Sequence, residues 1–431
     1  MPGDCEGEDL NTETIVLLSA ATAFVLSWLV QPHFRSLGFL TGIVDHPGYR
    51  RTHREPVPRT GGMAIFISFF TTLLILDNLI LAQPLPWGWL GALGGAGLAI
   101  MALGVGDDRF HIHAEKKLYG QLLVILGLMI VGERLETLTL PIFGIVSLGG
   151  WGWPITLLWY LGFVNSMNLI DGLDGLASGI GVVAAAMIAV VAIAVADFFS
   201  LVFAATLGGA TLAFLYWNVS RRKIFLGDSG SMWLGLALGG LLMHLAQKPG
   251  VPFLLLLAPM SVPIWDTGTT IIRRYRKRTS IFEADDYHLH HRLVRLGFAP
   301  RTTVTILMLV TCGSVLFALS DQINAAWLGL PALACWLWPL RIWANRRRRE
   351  GNELTLDFFT EMLFVVGLDD KAEIVASTQS REVAEIIDLQ AERSRVARIM
   401  AAAAGGNGPA VSADESPEHH VVHSTPDRTR S

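Results

Sequence analysis

The sequence contains few charged residues for its length. Asp, Glu, Lys and Arg make up 16% of the 431 residues, whereas a soluble globular protein carries about 25%. With 52% hydrophobic residues and a mean hydropathy of +0.47, a soluble enzyme and a wholly disordered chain are both excluded. Nearly charge-free stretches recur up to about residue 343, and a bilayer-spanning helix needs about 20 apolar residues. The composition therefore predicts an all-α polytopic membrane protein.

Cysteine and net charge are also scarce. Cys5, Cys312 and Cys335 are too few and too scattered for a disulfide framework or a thiolate metal site. A formal net charge of −4 gives no reason to expect nucleic acid as a partner. The N-terminal segment lacks the basic region of a cleaved signal peptide, so we expect its apolar stretch to be a retained helix.

The apolar stretches predict eleven membrane spans. They cover residues 14–30, 61–82, 86–105, 118–132, 151–170, 175–196, 199–217, 229–246, 251–272, 302–320 and 323–343. Lys and Arg concentrate in cytoplasmic loops. One alternate set of loops holds 23 of them, and the opposite set holds only Arg134 and Lys248. This asymmetry predicts an N-terminus outside the cell and a C-terminus in the cytoplasm.

The composition changes after the last span. Residues 1–343 form the predicted transmembrane domain, and residues 344–400 mix apolar and charged residues at roughly helical spacing. Residues 401–431 are rich in Ala, Gly, Pro, Ser and His. We expect a partly helical cytoplasmic tail followed by a disordered one.

Carboxylates gather at the predicted cytoplasmic ends of the spans. They are Asp107, Asp108, Asp171, Asp174 and Asp228. A transporter is expected to place its ionisable groups near the bilayer midplane. The observed placement instead favours an enzyme that acts at the cytoplasmic surface of the membrane.

These carboxylates are hard oxygen ligands, which suit Mg²⁺ or Mn²⁺ together with phosphate oxygens of a substrate. Asp171 and Asp174 would share one face if their segment were helical. Neighbouring glycines allow close approach of a ligand. Phosphate charge could be complemented by cationic and imidazole side chains, namely Arg54, Arg59, Lys117, His288, His290 and His291. Together these residues predict a site for a divalent metal and a diphosphate.

Five motifs occur in order between about residues 44 and 298. They are Pro58-Arg59-Thr60-Gly61-Gly62, Gly106-Asp107-Asp108, Asn165-Ser166-Met167-Asn168-Leu169-Ile170-Asp171-Gly172-Leu173-Asp174-Gly175-Leu176, Phe225-Leu226-Gly227-Asp228-Ser229-Gly230-Ser231 and His288-Leu289-His290-His291-Arg292-Leu293. This set resembles the polyprenyl-phosphate N-acetylhexosamine-1-phosphate transferases, of the glycosyltransferase 4 type. The eleven-span layout also fits that family.

The resemblance implies that a polyprenyl phosphate attacks the β-phosphorus of a UDP-N-acetylhexosamine and releases UMP, with Mg²⁺ as cofactor. It implies catalytic roles for Asp107, Asp108, Asp171 and Lys117, and metal ligation by Asp228 and Asp171. It implies substrate contacts by Arg54, Arg59, Asn168, Asp174, His288, His290, His291 and Arg292. A covalent intermediate on an aspartate stays open as an alternative to direct displacement.

Two branches of the family differ in their donor. The branch that uses UDP-MurNAc-pentapeptide has three consecutive histidines where this chain reads His288-Leu289-His290-His291, and it lacks an arginine at the position of Arg59. The pattern is similar to the WecA/TagO branch, which implies transfer of N-acetylglucosamine-1-phosphate. One departure is Ser280-Ile281-Phe282, where the family often has Ser-Pro-Phe.

From this resemblance we expect a multi-pass protein of the bacterial cytoplasmic membrane, with its active site on the cytoplasmic face. Its product would initiate a cell-envelope glycopolymer. Membrane lipids are expected partners, and a homodimer is one candidate assembly.

Two other classes compete with this interpretation. A secondary transporter would use Asp77 and Asp266, which are the carboxylates well inside predicted spans, as coupling sites. A non-catalytic scaffold would be expected to have lost a motif carboxylate, and none is missing.

Overall fold

The computed structural model describes residues 11–47, 55–81, 83–131, 134–140, 143–278, 280, 288–322 and 328–335. Arg54, most of the last predicted span and both predicted tail segments lie outside these residues. The described residues form a helical bundle with two short antiparallel strand pairs.

The α-helices of the described part are α1 (Thr12–Thr41), α2 (Gly61–Leu79), α3 (Trp87–Phe110), α4 (Ala114–Val131), α5 (Gly152–Ile170), α6 (Leu176–Ala194), α7 (Phe198–Val219), α8 (Gly227–Ala246), α9 (Phe253–Leu257), α10 (Ser261–Lys277), α11 (Leu289–Arg295) and α12 (Pro300–Gln322). Single 3₁₀ turns are formed by Gly149–Trp151 and Ala258–Met260. A further helical segment covers 328–335.

The strands form two antiparallel pairs. Strand β1 (Val44–Asp45) pairs with β2 (Val57–Pro58), which places Asp45 opposite Val57. Strand β3 (Thr137–Leu140) pairs with β4 (Gly144–Ser147) between α4 and α5.

Eight stretches of the described chain are long and apolar enough to cross a membrane. They are Thr12–Thr41, Gly61–Leu79, Trp87–Phe110, Leu176–Ala194, Phe198–Val219, Gly227–Ala246, Phe253–Arg276 and Pro300–Ser320. Each overlaps one of the predicted spans. The predicted spans 118–132 and 151–170 form α4 and α5, which are not among the eight. An all-α polytopic membrane protein is confirmed, and the total of eleven spans stays a prediction.

Helix α1 is longer than predicted, because it continues past Gln31 and Pro32 to Thr41. The side chain of Gln31 is fully buried, and its Nε2 donates to the Gly61 carbonyl 3.3 Å away. A polar residue that ends an apolar stretch in the sequence therefore lies inside the bundle. The helix ends where Gly42 adopts the left-handed conformation, with φ of 70°.

Helix α8 runs through the centre of the bundle, and 94% of its apolar stretch is buried. It packs against α2, α3 and α5. Glycines allow this close approach: a Cβ on Gly62 would overlap the Gly230 backbone, and a Cβ on Gly104 would overlap the Ser229 backbone. The first turn of α8 is consequently held deep between neighbouring helices.

Asp77 accepts hydrogen bonds from the backbone N–H of Leu85 and from Trp87 Nε1, both at 2.6 Å. Asp266 accepts a bond from a backbone N–H and contacts a histidine ring. Both carboxylates that a transporter would use for coupling are therefore engaged by protein groups, which leaves that hypothesis without support.

A polar cluster lies at the other end of α8 from Asp228. The Asp197 carboxylate accepts from Ser200 Oγ at 2.5 Å and lies 3.5 Å from His244 Nε2 and 3.3 Å from Lys248 Nζ. Burial opposes ionisation of Asp197, but these partners lower its pKa to about 2. The cluster ties the turn between α6 and α7 to the end of α8.

We expect this cluster to make stability depend on pH. The pKa of Asp197 is about 2 in the folded protein and about 3.9 in an unfolded chain, so its ionisation stabilises the fold by about 2 kcal/mol above pH 5. This contribution is lost as the pH falls from about 4 toward 2. Melting midpoints in detergent should fall more steeply for the wild type than for Asp197→Asn over that interval. Parallel curves would contradict the assignment.

Candidate active site

The end of α3 provides two carboxylates with different surroundings. Asp107 Oδ1 accepts from the backbone N–H of Ile112 at 2.8 Å, which fixes the chain after the helix. Asp108 Oδ2 accepts from the backbone N–H groups of Asp228 at 3.0 Å and Ser229 at 3.5 Å. A carboxylate is stabilised at a helix N-terminus. Asp108, whose side chain is fully buried, thus links the end of α3 to the start of α8.

Arg59 joins this link to the β1–β2 pair. Its guanidinium bonds to Asp108 Oδ1 at 3.3 Å through one nitrogen and to Asp45 through the other. Asp45 is buried and was not among the predicted site residues. No motif marked it, and its proximity to Arg59 depends on the pairing of Val44 with Pro58.

Lys117 connects three segments of the chain. Its Nζ lies 2.8 Å from Asp107 Oδ2, donates to Asn168 Oδ1 at 2.9 Å and pairs with the Asp228 carboxylate. Asn168 in turn donates to Ser231 Oγ at 3.0 Å. We call the group formed by Asp107, Lys117, Asn168 and Asp228 the lysine cluster.

Residues 171–175 form a turn between α5 and α6, so the helix that would have placed Asp171 and Asp174 on one face is not formed. Asp174 pairs with Lys223 in the segment before α8. Asp171 is partly exposed, yet desolvation and the negative charges of Asp228 and Asp108 raise its pKa well above the ordinary value.

The turn is fastened to the chain before α8 by Asn218. Its Oδ1 accepts from the Gly175 N–H at 2.6 Å, and its Nδ2 donates to the Ile224 carbonyl at 3.0 Å. Gly175 adopts φ of +83°, which favours glycine. Asn218 is a positioning residue that the sequence analysis missed. A single Asn near the end of a helix is common in proteins, and it does not by itself indicate a role.

Gly227 opens α8 with φ of +74°, and a Cβ there would lie 2.8 Å from Asp108 Oδ2. On the other side of this segment, Phe225 donates its N–H to the Pro58 carbonyl at 2.8 Å and accepts from Gly61 at 3.0 Å. The Pro58–Gly62 motif and the Phe225–Ser231 motif are therefore in direct backbone contact.

Residues 288–292, which we call the histidine segment, lie close to the turn between α5 and α6. His290 is 1% exposed, and its ring lies where a Cβ on Gly172 would stand. Burial lowers the pKa of His290 to about 3, with a contribution from His291, so the ring is neutral at physiological pH. Neither of its ring nitrogens has a hydrogen-bond partner among the described residues. His288 and Arg292 are also buried, and His291 is partly exposed.

The charges of this region are unbalanced. Among the described residues, two cations pair with four carboxylates: Lys117 with Asp107 and Asp228, and Arg59 with Asp108 and Asp45. Their chemistry fits a divalent cation. Within the described part of the chain no three His, Cys, Asp or Glu side chains are grouped as a ready-made metal site. One or two carboxylates with phosphate oxygens from a substrate would complete such a site.

Known proteins match this chain over most of the length of the bundle. A model described as glycosyl transferase family 4 matches residues 90–246. A Bacillus subtilis protein named probable undecaprenyl-phosphate N-acetylglucosaminyl 1-phosphate transferase is 31% identical over 322 residues, which cover 73% of this chain and 88% of the relative. The chain belongs to the polyprenyl-phosphate N-acetylhexosamine-1-phosphate transferase family.

Other members of the transferase family are similar over comparable lengths. A decaprenyl-phosphate N-acetylglucosaminephosphotransferase of Mycolicibacterium smegmatis is 34% identical, with 70% of this chain and 80% of the relative covered. An Escherichia coli undecaprenyl-phosphate alpha-N-acetylglucosaminyl 1-phosphate transferase is 28% identical, with coverages of 68% and 81%. The family match at 90–246 spans α3 to α8, which carry the whole lysine cluster.

Proposed function

We propose that this protein transfers N-acetylglucosamine-1-phosphate from UDP-N-acetylglucosamine to a polyprenyl phosphate, giving a polyprenyl diphosphate-linked sugar and UMP. The observation that carries the proposal is the lysine cluster, in which one ammonium group lies among carboxylate and amide oxygens at the meeting point of α3, α4, α5 and α8. The names of the relatives supply the donor and the acceptor.

The chemistry needs positioning and charge more than covalent help from the protein. An oxygen of the lipid phosphate attacks the β-phosphorus of the donor, and the bond from that phosphorus to the oxygen of UMP breaks. A phosphate whose second pKa is about 6 is largely ionised at neutral pH, so the lipid needs no strong base. Asp107 therefore orients the lipid phosphate, and Lys117 stabilises charge on the transferred phosphoryl group.

Magnesium is part of the proposal. Asp228 and Asp171 would supply the hard oxygen donors, and Lys117 pairs with both Asp228 and Asp107. A bound Mg²⁺ would neutralise negative charge on the diphosphate as UMP leaves. Asn168, Asp174 and the histidine segment are proposed to hold the uridine diphosphate.

The face of the membrane follows from charge. The predicted loops on the side of the lysine cluster contain nearly all the Lys and Arg residues of the loops, and this asymmetry supports a cytoplasmic location for that side in a bacterial cell. Eleven spans, an outside N-terminus and a cytoplasmic C-terminus complete the proposed topology. The product would start a cell-envelope glycopolymer.

Membrane vesicles of two orientations test both the reaction and the side of the membrane on which it takes place. Inside-out vesicles given UDP-N-acetylglucosamine, polyprenyl phosphate and Mg²⁺ are expected to release UMP and form the lipid-linked sugar, because the donor reaches the cytoplasmic loops without crossing lipid. Sealed right-side-out vesicles are expected to become active only after permeabilisation. Activity in both sealed forms would contradict the topology, and no UMP in either would contradict the reaction.

The alternative donor is UDP-MurNAc-pentapeptide. Purified protein is expected to release UMP with UDP-N-acetylglucosamine and not with the muramyl donor. Faster release with the muramyl donor would place the chain in the other branch of the family.

A further inference from the structure

Asp266 is an acidic side chain inside an otherwise apolar stretch. It is the only Asp or Glu between Phe253 and Arg276, a stretch long and apolar enough to span the membrane, and it is 3% exposed. Burial of a carboxylate is costly unless it is paired or hydrogen-bonded. The partners of Asp266 therefore indicate what it does.

Both oxygens of Asp266 bind the start of the histidine helix. Oδ1 accepts from the backbone N–H of Leu289 at 2.7 Å, and Oδ2 lies 3.0 Å from His288 Nδ1. Helix α11 has only seven residues, and the side chain of His288, its N-cap residue, makes no capping hydrogen bond. A helix this short is marginal by itself. The carboxylate from α10 supplies the missing acceptor and fixes the ring of His288.

The position of α11 matters for the site because its first turn carries His290. The His288 and His290 rings are parallel within 4°, with centroids 6.0 Å apart, and His290 and His291 follow at 4.2 Å. His290 packs against Gly172, which adjoins Asp171. Helix α10 itself packs against α5, whose end leads into this turn. The Asp266 carboxylate on α10 thus connects the histidine segment to α5 and to the turn that carries Asp171.

We propose that Asp266 is a positioning residue that sets the histidine segment for the diphosphate of the nucleotide-sugar donor. It touches no reacting atom and acts through His288 and the N-terminus of α11. This inference rests on the proposed function. Its effect should fall on the donor rather than on the lipid acceptor, because the lysine cluster has no direct contact with Asp266 among the hydrogen bonds of the described residues.

The test compares purified full-length variants by steady-state kinetics. Asp266→Ala is expected to raise the KM for UDP-N-acetylglucosamine about tenfold, since small displacements of a positioning group are costly, while the KM for polyprenyl phosphate stays within about twofold. Asp266→Asn is expected to recover most of this loss, because its amide oxygen can still accept from Leu289. The double variant Asp266→Ala/His288→Ala should be no worse than Asp266→Ala alone, as expected for residues that act as one unit.

Asp77 provides a matched control. It is also a carboxylate inside an apolar helix that accepts one backbone N–H and contacts one ring nitrogen, but its partners are Leu85 and Trp87. Asp77→Ala should lower the melting midpoint without a change in the donor KM. An Asp266→Ala variant whose donor KM shifts no more than that of Asp77→Ala, or whose two KM values rise equally, would overturn the proposal. So would additive effects in the double variant.

Failure of this inference is distinguishable from failure of the proposed function. The wild type is first assayed for UMP release, which tests the reaction alone. Affinity for UDP is then measured by calorimetry on the same variants, and Asp266→Ala should bind it about tenfold more weakly. Unchanged UDP affinity would contradict the positioning role whichever donor sugar the enzyme uses.

Discussion

The Asp228→Asn variant is expected to release UMP at least about a hundredfold more slowly than the wild type, a loss of about 2.7 kcal/mol of transition-state stabilisation. Asp228 stands in the first turn of α8 with 30% of its side chain exposed, and it pairs with Lys117. Asparagine keeps the shape but removes the charge that the proposed metal and Lys117 require. The rate is measured with UDP-N-acetylglucosamine over a range of Mg²⁺ concentrations.

The melting midpoint and a control variant are measured together with the rate of Asp228→Asn. The melting midpoint of Asp228→Asn should fall much less than that of Lys117→Met, because Lys117 keeps its pair with Asp107. In addition, Asp108 accepts from the backbone N–H of residue 228 and not from its side chain. Asp77→Asn, remote from the cluster, should retain nearly full activity. Equal rates for Asp228→Asn and the wild type at low Mg²⁺ would remove Asp228 from the metal site.

The Lys117→Met variant is expected to lose both activity and stability. Lys117 is the cation between Asp107 and Asp228, with a side chain only 12% exposed. Its removal leaves two carboxylates facing each other, and breaking a largely buried pair from one side costs about 3 kcal/mol. Turnover should fall at least about a hundredfold, measured as UMP release, and the melting midpoint in detergent should fall with it.

Adding Asp228→Asn to Lys117→Met separates the loss of activity from the loss of stability. In Lys117→Met/Asp228→Asn only the Asp107 carboxylate remains where two faced each other, so the repulsion between them is gone. The melting midpoint should recover part of the loss seen in Lys117→Met while activity stays absent. A double variant as unstable as Lys117→Met would show that Lys117 supports the fold through packing and not through charge balance.

The residues of the site were largely predictable, and their pairings were not. The family resemblance implied a common site for Asp107, Lys117, Asn168 and Asp228, and the structure brings these four side chains into contact. Their catalytic and binding roles stay predictions. Arg59 was expected to contact substrate, yet its guanidinium bonds to carboxylates of the protein, since only the folded chain brings β1 beside it.

Positioning residues escaped the sequence analysis for a common physical reason. Asp45 and Asn218 each act through a partner distant in sequence or across a loop, and neither belongs to a motif with its own chemistry. Asp266 entered the sequence analysis only as a coupling site for a transporter, because the sequence does not reveal its contacts with His288 and Leu289. The length of α1 was also missed, because hydropathy registers Gln31 as the end of an apolar stretch although its side chain is buried. Apolar periodicity identifies spans, but it does not reveal which polar groups are satisfied inside the bundle.

The glycine contacts around α8 restrict how this enzyme can evolve. Gly62, Gly104 and Gly230 stand where any side chain would press on the backbone of a neighbouring helix. None of the three carries a group that reacts, yet a replacement would displace the turn that holds Asp228. Over generations, substitutions should be accepted on the lipid-facing surfaces and rejected here, so that helix packing restricts these positions as strictly as chemistry restricts the carboxylates.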